Sequence, residues 1–261
     1  MQLLIRWLLL IVSLFPVSAN AQDSSLRLIT EQWAPMSYQT GTQPQGYMID
    51  LVNLLKRQSP DLTSAEIEVL PWARGYAIAQ STANVLLFAT SMNDERLSHF
   101  DFVGPVATTS VYLYAGADDP VSLTSLADLN NTDTVGVYRD SIGEGILRQA
   151  GGVSLLVASF PHQSARQLMR KRVRFWSQAD VAVAGLLTEI GADMSQIKPV
   201  LKLKEIELYF AFSKGTDKAI VKQWHQALVA VKQSGQFERL YQKWFVNFTA
   251  PTKTQIIWRQ P

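Results

Sequence analysis

The residues best placed to do chemistry lie in one short stretch, Thr90-Ser91-Met92-Asn93-Asp94-Glu95-Arg96. Ser91 or Asn93 followed by two acids has the form of a helix start. Backbone N–H groups at such a start favour an anion, and Arg96 in the first turn could grip a carboxylate through two N–H groups. On these seven residues alone an arginine on a solvated helix face is the simpler account. The rest of the chain reverses that judgement. The stretch follows the apolar run Val85-Leu86-Leu87-Phe88, which reads as a buried strand, and precedes Phe100-Asp101-Phe102.

Other candidates are weaker. Trp33, in Trp33-Ala34-Pro35, could cover a planar or apolar group, or cap the edge of a core. Trp72, Arg74 and Tyr76 could reach the same place or simply pack. Ser141 precedes Glu144 in capping-box spacing, which needs no ligand. Asp180 could meet an amine or cap a helix. His99, His162 and His225 sit in separate segments without metal-ligand spacing, and no Gly-x-Ser-x-Gly nucleophile elbow occurs. No carboxylate pair is marked as acid and base. Gly136, Gly143 and Gly145 lack the spacing of a phosphate-cradling loop. The basic run Arg170-Lys171-Arg172-Val173-Arg174 reads as a solvated helix end, where cations suit the dipole. No metal or cofactor is expected, and the residues favour binding without turnover.

Composition narrows the class. Arg6, the apolar stretch 7–17 and Ala19-Asn20-Ala21 form a secretory signal peptide over residues 1–21, too short for a membrane span. Its removal leaves 261 − 21 = 240 residues and, without Arg6, 23 basic against 22 acidic side chains. That balance gives no electrostatic case for nucleic acid. With no cysteine there is no disulfide, thiolate metal site or lipid-bearing cysteine. The expectation is a monomeric, periplasmic protein that is not embedded in the membrane.

The elements around these residues alternate. Leu26-Arg27-Leu28-Ile29 reads as a first strand, and Gly46 precedes a helix with Tyr47, Leu51, Leu54 and Leu55 on one face. Ile67-Glu68-Val69-Leu70 is a second strand, with Pro71 opening the next helix. After Gly104-Pro105 the pattern restarts: strands at 111–114, 135–138, 155–158 and 208–212 are separated by helical segments, among them 123–129 and 164–172. A segment at 175–184 precedes the last of these strands. An apolar stripe of Ile220, Trp224, Ala227, Leu228 and Val231, ended by Gly235, leads to a final helix at 237–245. This is α/β with largely parallel sheets, in two lobes of similar size. The tail, 249–261, is expected to be loosely ordered.

In order and spacing these landmarks resemble the family 3 extracellular solute-binding proteins of ABC transporters, polar amino-acid type, over about residues 26–245. The motifs that carry the resemblance include Trp33-Ala34-Pro35, Gly46-Tyr47-Met48-Ile49-Asp50-Leu51, Ser91 to Arg96, Ser125-Leu126-Ala127-Asp128-Leu129, and the ending Gly235-x-Phe237-x-x-x-Tyr241-x-Lys243-Trp244-Phe245. The resemblance implies the type II periplasmic binding fold, a Venus flytrap. Lobe one would be 22–109 plus 214–248, lobe two 110–213, and the hinges near 108–110 and 212–214. It implies that Arg96 holds a ligand carboxylate, with Ser91 and the backbone at Ala89 beside it, Trp33 covering the ligand, and Ser141, Ile142 and Gly143 meeting it from lobe two. The aspartate that many members use for the ligand's ammonium aligns with Ala179, so Asp180 would serve only if the segment bulges. The implied partner is an ABC permease or, alternatively, a membrane sensor. A third alternative is a cyclohexadienyl-dehydratase-like enzyme on the same fold, in which Glu31 or Asp180 could supply the acid.

Overall fold

The computed structural model describes residues 26–246 and 248–260, so the signal-peptide reading of residues 1–21 lies outside the described residues. The chain begins with strand β1 (Arg27–Glu31), a hairpin of β2 (Tyr38–Thr40) and β3 (Gln43–Gln45), and helix α1 (Tyr47–Gln58). Strand β4 (Ile67–Leu70), helix α2 (Trp72–Ser81), strand β5 (Val85–Ser91) and the one-turn helix α3 (Asp94–Leu97) follow. All four apolar positions read from the period of α1 are buried. Gly46 is required before it: its φ is 118°, and a Cβ there would lie 2.6 Å from the Met36 carbonyl oxygen.

Strand β6 (Phe100–Gly116) then crosses into a second set of elements. These are β7 (Thr134–Tyr138), α4 (Ile142–Ala150), β8 (Ser154–Ala158), α5 (Pro161–Met169), β9 (Phe175–Ala179) and α6 (Asp180–Glu189). Strand β10 (Ile197–Ser213) crosses back, and α7 (Lys218–Gln233), α8 (Gln236–Trp244) and β11 (Gln255–Ile257) complete the first lobe. The strand order is β4-β1-β5-β10-β6-β9-β7-β8, with β11 on β6. β1 runs parallel to β4 and β5, and β7 parallel to β8 and β9, as strand–helix alternation requires. Trp224 and the other buried residues of α7 pack on the first lobe's half of the sheet, touching Phe210 and Phe212.

Two expectations are corrected. The second crossover is not at 212–214. Phe212 pairs with Leu86 of β5 and Asp101 of β6, inside the first lobe. The residues that join the lobes are Glu205, Ile206 and Glu207, paired with Ser110, Thr109 and Thr108. Below them β10 follows lobe one from Leu208; above them β6 joins β9 of lobe two from Val111. The stretch 208–213 therefore belongs with lobe one rather than lobe two. Residues 197–207 alternate charged and apolar side chains, the mark of a strand with one wet face, and this polar half hides the crossover in the sequence.

The tail is not loose either. β11 pairs with Phe102, Val103 and Gly104 of β6. Beyond it Arg259 donates through its backbone N–H (2.9 Å) and Nη1 (2.5 Å) to the buried carboxylate of Asp101. Lys218 lies 5.3 Å from the Trp258 ring centre.

Candidate functional site

The C-terminal ends of β1, β5 and β7 and the start of α4 converge on one small space between the lobes. Open α/β sheets place their ligand crevices at such strand ends. Lobe one contributes Glu31, Trp33, Trp72, Ala89, Ser91 and Arg96; lobe two contributes Tyr138, Ser141, Ile142, Gly143, Ser177, Gln178 and Ala179. The space at its centre is about 30 Å³, well below the ~150 Å³ that holds benzene. The lobes are thus closed on one another, and a ligand larger than a few atoms enters only if they part.

Arg96 is buried at 4% exposure, contrary to the solvated alternative. Asn93 caps α3 by accepting from the Arg96 backbone N–H at 2.8 Å. With four residues, α3 is too short to present a helix dipole of consequence, so this stretch acts through its side chains. Arg96 Nη1 donates to the Ser91 carbonyl (2.9 Å) and hydroxyl (2.6 Å), and Nη2 to the carbonyl of Asp140 (2.9 Å). The guanidinium carbon lies 5.0 Å from the Trp72 ring centre and 5.3 Å from that of Tyr76, and the two rings stack. The aromatic face and three hydrogen bonds fix the fork in one orientation.

Ala89 reaches the cavity through a bulge. Thr90 pairs with Tyr209 and Phe88 with Phe210, leaving Ala89 unpaired at φ 62°. Such a left-handed alanine costs roughly 1–2 kcal/mol, strain of the kind that collects at functional sites.

From lobe two, Ser141 caps α4 by accepting from the Glu144 N–H (3.1 Å), and Glu144 accepts from the Asp140 N–H (2.6 Å). The N–H groups of Ile142 and Gly143 open the helix with no carbonyl ahead of them in it, at the cavity wall. The Asp140 carbonyl accepts from both Trp72 Nε1 (2.8 Å) and Arg96, which makes it a cross-lobe latch. Trp33, 3% exposed, adds a third cross-lobe bond from Nε1 to Gln178 Oε1 (3.2 Å).

Asp180 stands apart. It opens α6, and its Oδ1 accepts from the Ser110 N–H (3.2 Å), the Val181 N–H (2.8 Å) and the Thr109 hydroxyl. It braces the crossover and does not line the cavity, while Ala179 beside it does. Arg74 is exposed and also outside the lining; Trp72 of the same helix is inside it.

Residues absent from the carried-over set complete the wall. Glu31 is buried, and burial pushes its carboxyl up to about 8, with Arg96 pulling the other way. Tyr138 is held well above the ordinary phenol range by burial and then by Glu31. Among the described residues, three buried polar atoms here have no hydrogen-bond partner: Glu31 Oε2, Ser177 Oγ and Gln178 Nε2. Glu31 adjoins the Trp33 motif, which was a usable signal. Tyr138 ends its strand just before Asp140, but Ser177 and Gln178 carried no signal beyond their place before Ala179.

The two lobes, two crossovers and interlobe cavity define the periplasmic-binding-protein class. Residues 26–247 match the family described as bacterial extracellular solute-binding proteins, family 3, and the chain belongs to that family. Similar solved structures include a histidine kinase sensor domain with similarity to periplasmic binding proteins (TM-score 0.77, 19% identity, covering 88% of this chain and 100% of that one). Others are the arginine-, lysine-, histidine-binding protein ArtJ from Geobacillus stearothermophilus (0.71, 17%, 85% and 96%) and the GluR0 ligand-binding core from Nostoc punctiforme in complex with L-glutamate (0.71, 20%, 84% and 99%). These likenesses establish the fold. No curated protein matches the sequence. Among the described residues no helix is long and apolar enough to cross a membrane.

Proposed function

We propose that this chain is a periplasmic binding protein that captures a small carboxylate-bearing solute, an amino acid or a related acid, between its lobes and delivers it as a monomer to an ABC permease. The observation that carries this reading is the buried Arg96, oriented by Ser91 and two aromatic rings in a cavity where three other polar atoms lack partners. Unsatisfied buried polar atoms cost about 1–3 kcal/mol each, so such a cluster fits a site completed by something polar. A carboxylate would replace the Asp140 carbonyl on Arg96 Nη2 and take the N–H groups of Ile142 and Gly143 from the other side. Ser91, Ser141 and the Ala89 backbone would complete the polar shell, with Trp33 as the cover. The amino-acid binders among the similar structures support this ligand class.

The sensor domain among them keeps one alternative, in which the closed form is read by a signalling partner. Arg96→Ala, measured by calorimetry against amino acids and their des-amino acids, tests the shared core of both readings. Each charge-assisted bond is worth about 1.5–3 kcal/mol, so affinity should fall at least tenfold in a protein that still folds. Unchanged affinity refutes the carboxylate site.

A further inference from the structure

Among the described residues Glu31 is the one acidic side chain in the wall of this cavity, and a carboxylate-binding role gives it no task. It ends β1 at 3% exposure, facing the same small space as Arg96. The two do not satisfy each other. Oε2 of Glu31 has no partner, while the guanidinium donates to Ser91 and Asp140. A carboxylate so placed must be neutralised by a proton or a cation. Burial accordingly pushes its carboxyl up to about 8, with Arg96 pulling the other way.

We propose that Glu31 binds the ammonium group of an α-amino acid whose carboxylate is held by Arg96. This deepens the carboxylate reading above and rests on it. The remaining atoms sort by the same division. Gln178 Oε1 already accepts from Trp33 Nε1 and from the Ala179 N–H, so its free atom is the donor Nε2, suited to a ligand oxygen. Ser177 Oγ, also free, can accept a second ammonium N–H. Donors for a carboxylate and acceptors for an ammonium thus share one space of a few atoms' width, which matches charges separated by a single carbon. Asp180 lies outside the wall of this space, with its Oδ1 engaged at the crossover by Thr109 and Ser110.

The test is calorimetric titration of the protein at pH 7.5 with the twenty standard amino acids, their des-amino acids and their decarboxylated amines. At least one amino acid should bind more than tenfold tighter than both of its single-ended analogues. Glu31→Gln should weaken that amino acid at least tenfold and leave the des-amino acid unchanged; Glu31→Asp should recover part of the loss. Titration in two buffers of different ionisation enthalpy should show proton release on binding that Glu31→Gln abolishes. If the des-amino acid binds the unaltered protein as tightly, or Glu31→Gln changes neither affinity nor proton release, the ammonium assignment is overturned while the Arg96 site stands. If binding ignores Arg96→Ala, the carboxylate reading fails instead. If no probe binds, both fail.

Discussion

Glu31 makes the ligand-free protein sensitive to pH in a direction opposite to most carboxylates. Burial pushes its carboxyl up to about 8 in the closed fold, against 4.5 for an exposed glutamate in the unfolded chain. Between those values the folded state holds a proton that the unfolded chain has lost. Stability from this group is therefore complete below about pH 4.5 and is lost as pH rises through 8. At about 1.4 kcal/mol per pH unit, the 3.5-unit window sets a ceiling of roughly 5 kcal/mol. The loss stops earlier if the cleft opens and rehydrates Glu31, at the cost of the bonds Trp33–Gln178, Trp72–Asp140 and Arg96–Asp140. Two neutral bonds and one charged one amount to about 3–5 kcal/mol, which limits the net loss to about that amount. For a chain of this size that is roughly 6–20 °C in melting temperature. Glu31→Gln mimics the protonated acid: it should melt with the unaltered protein at pH 5 and well above it at pH 8.5. Thermal melts of both proteins across that range, without ligand, measure the difference and cancel every other titrating group. Parallel profiles, or a gap that widens toward acid, would refute the reasoning.

Other expectations follow from single contacts. Arg259→Ala strands the buried Asp101 carboxylate and should cost about 3–5 kcal/mol, read as a lower denaturation midpoint in urea. Gly143→Ala puts a Cβ 2.3 Å from Ser177 Oγ; it should lower stability by about 1–3 kcal/mol and reduce ligand affinity, both visible in one titration-and-melt series. Asp180→Asn should lower the melting temperature through Thr109 and Ser110 yet leave the preference for an amino acid over its des-amino acid unchanged. Trp72→Phe removes the bond to the Asp140 carbonyl, and small-angle scattering should show a larger radius of gyration for the empty protein.

What could be read from the sequence was whatever repeats locally. The α1 face, the Ser141–Glu144 cap and the arginine after β5 each announce themselves within a dozen residues, because helix period and capping are local rules. The crossover was misplaced because β10 changes environment along its length. Its first half alternates wet and dry faces and its second half is buried on both, so two different patterns mark one strand. The tail was misjudged for a related reason. Gln255-Ile256-Ile257 looks too short to hold itself, and what orders it is β6 and Asp101, some 150 residues earlier. Asp180 illustrates the limit within the site. The slip of one residue from Ala179 was legible; that its Oδ1 would be engaged by Thr109 and Ser110, outside the cavity wall, depends on β6 passing beside it.

The arrangement also bears on how ligand and closure are linked. With the lobes closed, Arg96 donates to the Asp140 carbonyl, an oxygen of lobe two, while burial pushes the Glu31 carboxyl up to about 8. An arriving amino acid would bring its own oxygen for the first and its own cation for the second. Ligand contacts and interlobe contacts therefore compete for the same groups, and the ligand gains only the difference between the two. If the empty closed form lies 1.4 kcal/mol below the open one, apparent affinity is about tenfold weaker than the open site's own. Raising pH weakens the empty closed form by deprotonating Glu31 and leaves an amino-acid complex, with Glu31 already ionised, almost untouched. Affinity for an amino acid should thus rise toward pH 8, whereas a simple acid, which leaves Glu31 buried without a cation, should show no such gain.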